Sequence, residues 1–279
     1  MADSIPSAAF GALATLARSA ELGRWRRAGV RPRLWWRDDD ARAPSAALDR
    51  LLEIASERPL ALAVIPNGGA DSDLSGLAHR LRGERRVTIG QHGVDHQNRR
   101  HAGPRSEYPA PPTIEAMRAR ISGGQVRLLE AGLTPRFYTP PWNAIDPGLP
   151  VALAQLGVPV LSAGATWIGQ PGVHYLSAEI DLLSWKRGQR FKGTLRVLPA
   201  LRRALAVRRV TGAYGRPIGL LTHHLVHDAA TWRFLDLALP WLDRRFEWVG
   251  VDVSDAATSR QVIRAEGPVS AGMAKPLAV

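Results

Sequence analysis

Apolar positions along this chain follow two alternating rhythms. Short runs rich in β-branched and aromatic residues read as buried strands: Leu34 to Trp36, Leu60 to Ile65, Val87 to Gly90, Arg136 to Thr139, Val158 to Leu161 and Ile218 to Thr222. Between them the apolar spacing lengthens to three and four. Leu48, Leu51, Leu52 and Ala55 share one face of a helix predicted over 45–57, and further helices are expected over 73–81, 113–131 and 228–239. Gly123-Gly124 is expected to interrupt the third of these, and Asp146-Pro147 reads as an N-cap with proline at the first helical position. Weaker strands are expected over 175–181 and 246–253. Strand, helix and strand in repeated succession argue for parallel strands joined by crossover helices in an α/β domain.

The ends read differently. Residues 5–28 are predicted helical, with Phe10, Leu13 and Leu16 near one face. Asp3 stands where a signal peptide carries positive charge, and Arg18 interrupts its small-residue end, so this segment is read as a helix packed on the domain and the location as cytoplasmic. No apolar run approaches the ~18 residues of a membrane span. Beyond Asp255 the pattern fades into Ala, Gly, Pro and Ser, which reads as a mobile tail. The expected division is therefore an N-terminal helix in 1–30, one catalytic domain in 31–254 and a tail in 255–279, with no internal repeat. Residues 99–113, rich in proline and charge, are long for a connection and read as a lid or a disordered excursion. Glu107 and Tyr108 are its candidate functional side chains, with plain surface positions as the simpler expectation.

Composition narrows the chemistry. Cysteine is absent, so any metal must be held by His, Asp or Glu. The net charge of +12 is nearly all arginine, scattered in pairs such as Arg85-Arg86 and Arg202-Arg203. No basic helix gathers them, so a solvated arginine-rich surface is expected rather than a nucleic-acid site.

Candidate chemistry collects just after the predicted strands. His92 and His96 follow the Val87 run, and side chains four apart on one turn share a face on which two imidazoles can hold one ion. Gly93 after the first histidine excludes the zincin arrangement, so a third ligand must come from elsewhere. Asp38-Asp39-Asp40 ends the first strand, and three adjacent carboxylates repel one another unless a cation uses them; the alternative is a capping turn before Pro44. His223, His224 and His227 follow the Ile218 strand. Alternation should send His223 and His224 to opposite sides, leaving His227 as a helix-start or surface residue. In a barrel of parallel strands all these positions open on one face, where catalytic groups gather.

With these motifs in this order, the chain resembles the polysaccharide deacetylases, or carbohydrate esterase family four, over about 34–253. The resemblance implies a distorted, incomplete (β/α) barrel of mostly parallel strands. It implies Asp39 as general base, Asp40, His92 and His96 as metal ligands, and His223 as general acid, with Asp38/Asp39 as the other register for base and ligand. Tyr138, Pro141, Trp142 and Asn143 match one wall of the family's groove, and Asp181 and Trp185 another, although both tryptophans could equally pack in the core. Thr139 stands where the family has an arginine, and Arg37 or Arg136 is available to replace its charge. Ser184 and His224 also depart from the pattern. The implied activity is metal-dependent deacetylation of N- or O-acetylated carbohydrate. The alternatives are a C–N hydrolase acting on a small amide and a non-catalytic carbohydrate-binding relative. The cofactor is a divalent cation, zinc first, though His/Asp ligation also suits cobalt, manganese or iron. The expected partner is an acetylated sugar or small amide, with no nucleic acid; nothing in the sequence speaks to oligomeric state.

Overall fold

The computed structural model describes residues 11, 20–164 and 169–251. In chain order the elements are α1 (Ala20–Arg27), β1 (Arg33–Ala41), α2 (Ala46–Ala55), β2 (Leu60–Val64), α3 (Leu74–Arg80), β3 (Val87–His92), α4 (Ile114–Glu130) and β4 (Phe137–Thr139). There follow α5 (Leu149–Gln155), β5 (Val160–Ala163), β6 (His174–Ser177), β7 (Ile180–Asp181), β8 (Leu183–Ser184), β9 (Arg190–Phe191), α6 (Thr194–Val210), β10 (Ile218–Thr222), α7 (Ala229–Asp243) and β11 (Glu247–Trp248). The remainder of the expected 5–28 helix, the end of the expected 246–253 strand and the expected tail lie outside the described residues.

Nine strands form one sheet in the order β6-β5-β4-β3-β2-β1-β10-β7, with β11 beside the start of β1. Its strand pairings are all parallel, and the sheet curls into an incomplete barrel flanked by helices, as the alternating pattern predicts. All five residues of β2 are buried because both its faces are covered.

The pleat sorts side chains into two environments. Leu34 and Trp36 face outward and join Leu48, Leu51, Leu235 and Leu239 of the covering helices. Trp35 faces inward, with Ala61, Ala63, Phe137 and Leu221 filling the barrel. A separate outer cluster packs α4 and α5 on β4 through Met117, Ile121, Leu149 and Tyr138. No helix among the described residues is long and apolar enough to cross a membrane.

Several expectations need correction. β1 does not stop at the acidic run but continues through it to Ala41. α4 is unbroken across Gly123-Gly124; a Cβ on Gly124 would meet the Gln91 amide at 2.4 Å, so this glycine serves close packing rather than interruption. The expected 175–181 strand is two strands, β6 and β7. Asp146 does not cap α5, whose N-cap is Gly148; its buried carboxylate instead takes Ser106 Oγ and Arg100. Residues 99–113 are not a loose excursion, since Ser106, Glu107 and Tyr108 are all buried. The pattern assigns nothing to 194–210, where α6 lies, because Pro199 and the paired arginines blur its apolar stripe.

Candidate active site

The three consecutive aspartates point three ways. β1 pairs with β2 through Arg37↔Ala61 and Asp38↔Leu62, but then Ala41, not Asp40, meets Val64. One extra residue in β1 makes a bulge, which re-aims a side chain. Asp38 keeps the outward direction: its Oδ2 accepts from Thr222 Oγ1 (2.6 Å) and the His224 N–H (3.0 Å), and its Oδ1 lies 2.5 Å from His224 Nδ1. Burial pushes the Asp38 pKa up, but the His224 charge and hydrogen bond outweigh it and leave it lowered. Asp39 points inward and meets the fully buried Arg37, whose Nε and Nη2 each lie 2.9 Å from one of its oxygens. Arg37 also donates to Ser162 Oγ (2.6 Å) and Asn143 Oδ1 (2.7 Å). Asp40, in the bulge with φ 74°, turns toward the histidines.

Asp40 Oδ1 is 3.1 Å from His92 Nε2 and 3.4 Å from His96 Nε2. Two ligand atoms each about 2.1 Å from one ion at near-tetrahedral angles lie roughly 3.4 Å apart. His92 Nδ1 sits 3.1 Å from the Thr139 carbonyl. That oxygen can only accept, so Nδ1 carries the hydrogen; when the ring is neutral, Nε2 keeps its lone pair toward Asp40, which is how an outer carbonyl orients a metal-binding histidine. The buried Asp40 Oδ1 has no hydrogen-bond donor. A cation resolves this meeting of lone pairs, so the residues fit a divalent metal. Burial opposes charge on His92, yet Asp39 and Asp40 raise its pKa; His96 is lowered by burial and by His92. Asp40 is held below the usual carboxylate range by His92, against its burial.

His223 continues the inward direction of β10, with Nε2 3.8 Å from Asp39 Oδ2. Its buried Nδ1 lacks a hydrogen-bond partner. His224 turns the other way to Asp38, as alternation predicts. His227 is not a helix cap, a role Asp228 fills; its Nε2 accepts the His223 N–H (3.2 Å) and its ring packs on Trp232. Burial lowers its pKa to about 4.

Two tryptophans flank these groups. Trp142 lies against the His96 ring at 4.8 Å and Trp185 edge-on to His223 at 4.6 Å. Trp185 is 45% exposed, so it is a rim residue and not core; its Nε1 donates to Asp181 Oδ2 (2.8 Å). Among the described residues six non-glycines have positive φ, and four of them, Asp40, His96, Trp142 and Asn143, stand here. Backbone strain of that kind gathers at functional sites. Two expected wall residues do not reach the mouth. Tyr138 falls on the helix-covered face of β4, its hydroxyl 3.1 Å from that of Tyr108, because the pleat turns Phe137 and Thr139 inward instead. Pro141 is buried against Gly93. Asn143 is at the site, but its amide oxygen is taken by Arg37. The sequence reading missed Ser162, whose one signal is a polar residue inside an apolar strand. It also missed what Glu107 holds: the backbone N–H groups of Val94, Asp95 and His96.

No family model matches the chain, and no curated protein matches its sequence. Solved structures do match its shape. A candidate polysaccharide deacetylase from Mycobacterium smegmatis superposes with a TM-score of 0.57 at 17% identity, over 89% of this chain and 96% of that one. A family 4 carbohydrate esterase from Streptomyces lividans, solved with acetate, gives 0.51 at 15% identity, over 81% and 95%. A T48 deacetylase solved with substrate gives 0.51 at 19% identity, over 82% and 93%. The fold is that of the polysaccharide deacetylases. In the polysaccharide-deacetylase fold of this chain, the Asp40, His92, His96 group sits at the C-terminal ends of β1 and β3, beside His223 at the end of β10. That is the face of a parallel barrel on which chemistry is found.

Proposed function

We propose that this chain is a metal-dependent hydrolase that removes acetyl groups from N- or O-acetylated carbohydrate. One observation carries the reading: a three-ligand group, Asp40, His92 and His96, converges beside two unlike proton carriers, Asp39 and His223. The acetate and substrate complexes of the similarly folded proteins support it. A bound divalent cation, zinc by preference, would acidify a water and polarise the acyl carbonyl. Asp39, fixed in direction by Arg37, takes the proton from the attacking water. His223, protonated on Nε2, gives a proton to the departing amine or alkoxide as the acyl C–N or C–O bond breaks and a C–O bond to water forms. Trp142 and Trp185 offer apolar walls, one on the ligand side and one on the acid side, suited to a sugar face or an acetyl methyl. Asp181 holds Trp185 in place through its indole N–H.

The test is metal analysis of the purified protein together with acetate release from an acetylated hexosamine oligomer, an acetylated xylan and a small N-acetyl amide. Metal-dependent release from either polymer supports the reading. Release from the small amide alone would move the assignment to amide hydrolysis. A chain that takes up metal but hydrolyses none of the three would point to a binding protein.

A further inference from the structure

The buried carboxylate of Glu107 has no place in the reaction as derived, and it lies in the segment that reads from sequence as a loose loop. It is 2% exposed. Its Oε1 accepts the backbone N–H groups of Val94 (3.0 Å), Asp95 (2.9 Å) and His96, and its Oε2 accepts Val94 again at 2.9 Å. Three successive amides can aim at one group only if the chain curls around it. Gly93 (φ 56°) and His96 (φ 54°) provide that curl. A Cβ at Gly93 would come within 2.3 Å of Glu107 Oε2, so the turn is closed tightly on the carboxylate and needs glycine there.

We propose that Glu107 is a positioning residue for the metal-binding turn: its carboxylate shapes residues 93–96 so that His96 meets Asp40 and His92, and it thereby sets the affinity of the site for a divalent cation. The inference rests on the metal site of the proposed function. The two histidines differ in how they are held. His92 ends a paired strand, and its ring is oriented by the Thr139 carbonyl. His96 lies beyond the strand, and the position of its backbone follows from the turn that Glu107 closes. Glu107 is itself anchored. Arg99 N–H donates to the Ser106 carbonyl, Ser106 N–H to Asn98 Oδ1, Arg100 Nε to the Tyr108 carbonyl, and Ser106 Oγ to Asp146. Residues 99–108 thus fold back to carry one carboxylate under the turn that precedes them.

The experiment is titration of the metal-free protein with cobalt(II), followed by visible absorption, which reports both affinity and ligand geometry. E107A is expected to bind cobalt about 10–100-fold more weakly, the usual effect of losing an outer partner of a metal ligand, with a changed absorption band. E107Q keeps one acceptor oxygen and should fall between. Y108F removes the hydroxyl contact to Tyr138 from the same loop. It should bind like the wild type, which separates positioning of the turn from general loosening of the loop. If wild type binds cobalt and E107A binds it as tightly with the same spectrum, the inference is wrong and the metal site stands. If wild type takes up no cobalt, the metal site itself is wrong and the inference goes with it. Should E107A fail to fold, E107Q decides: wild-type affinity and spectrum overturn the proposal, and weakened binding supports it.

Discussion

The two sides of the candidate metal site are built by different means. On the β1 side, Asp40 is aimed by a one-residue bulge within a strand paired to β2 and β10. Beneath it lie two buried pairs, the Arg37–Asp39 ion pair and the hydrogen-bonded Asp38 and His224. On the β3 side, His96 stands on a short turn wrapped round a carboxylate eleven positions further along the chain. The first arrangement ties ligand direction to the barrel itself. The second ties it to residues 99–108, which lie outside the strands of the sheet. The ligands that complete one group therefore differ in what must break before they move.

That contrast is open to attack in order of expected effect. Asp40→Ala removes the shared oxygen between the two histidines, and both cobalt uptake and acetate release should fall below detection. Retained metal binding would show that another carboxylate, such as Asp39, is the ligand. His223→Ala should lower the rate of acetate release by about 10²–10⁴-fold at matched metal occupancy, with cobalt uptake unchanged. If His224→Ala is the inactive variant instead, the inward and outward assignment of this pair is wrong.

His224→Ala should act on stability, because it leaves Oδ1 of the buried Asp38 carboxylate without its partner, although Thr222 and the backbone N–H of residue 224 still hold Oδ2. Breaking one partner from a buried pair costs about 3–5 kcal/mol, to be read from urea unfolding of the metal-free protein. A loss under about 1 kcal/mol, the range of a surface pair, would mean that the strand side is not held by this pair. Chelation is the subtler test. With metal at about 100 times its Kd, removal should cost roughly 2.7 kcal/mol of stability. Hydrogen exchange should then rise in 93–96 well before it rises in 37–40; equal loosening would erase the distinction between the two sides.

The smallest effect concerns pH. Burial lowers the His227 pKa to about 4, whereas an unfolded histidine titrates near 6.5. The unfolded chain thus binds this proton first as pH falls. The contribution to stability is fully present above about pH 6.5 and is lost as the pH drops toward 4, at no more than about 1.4 kcal/mol per pH unit. His227→Gln should flatten that slope in acid unfolding between these limits. An unchanged slope would mean that the ring is solvated.

Much of the barrel could be read from the chain because its strands are buried on both faces. Runs such as Leu60 to Ile65 and Ile218 to Thr222 carry no polar residue before their last position, and turn signals bound them. α6 escaped because Pro199 and five arginines interrupt a helix whose inner face still buries Val197, Leu201 and Leu205. The histidine pair was legible from its spacing. Glu107 was not, because a lone acid in a Pro- and Arg-rich stretch looks solvated until the amides it binds are known. Tyr138 was misplaced for a simpler reason: counting alternation from Phe137 requires knowing which face of β4 looks into the barrel.

What the sequence determined by itself is local: strand and helix alternation, the absence of thiol ligands, and a supply of Asp and His at strand ends. Residue type and spacing carry that much, because burial and backbone period act on near neighbours. Which of three adjacent aspartates faces the histidines was decided by tertiary structure. Asp38, Asp39 and Asp40 are chemically the same side chain. They differ because β1 gains a residue against β2, because Arg37 bridges to Ser162 and Asn143, and because His224 arrives from β10. Arg37 is two positions from Asp39, but the paired residues of β2, Ser162, Asn143 and His224 all come from more than 20 positions away in the chain, beyond the reach of any local pattern.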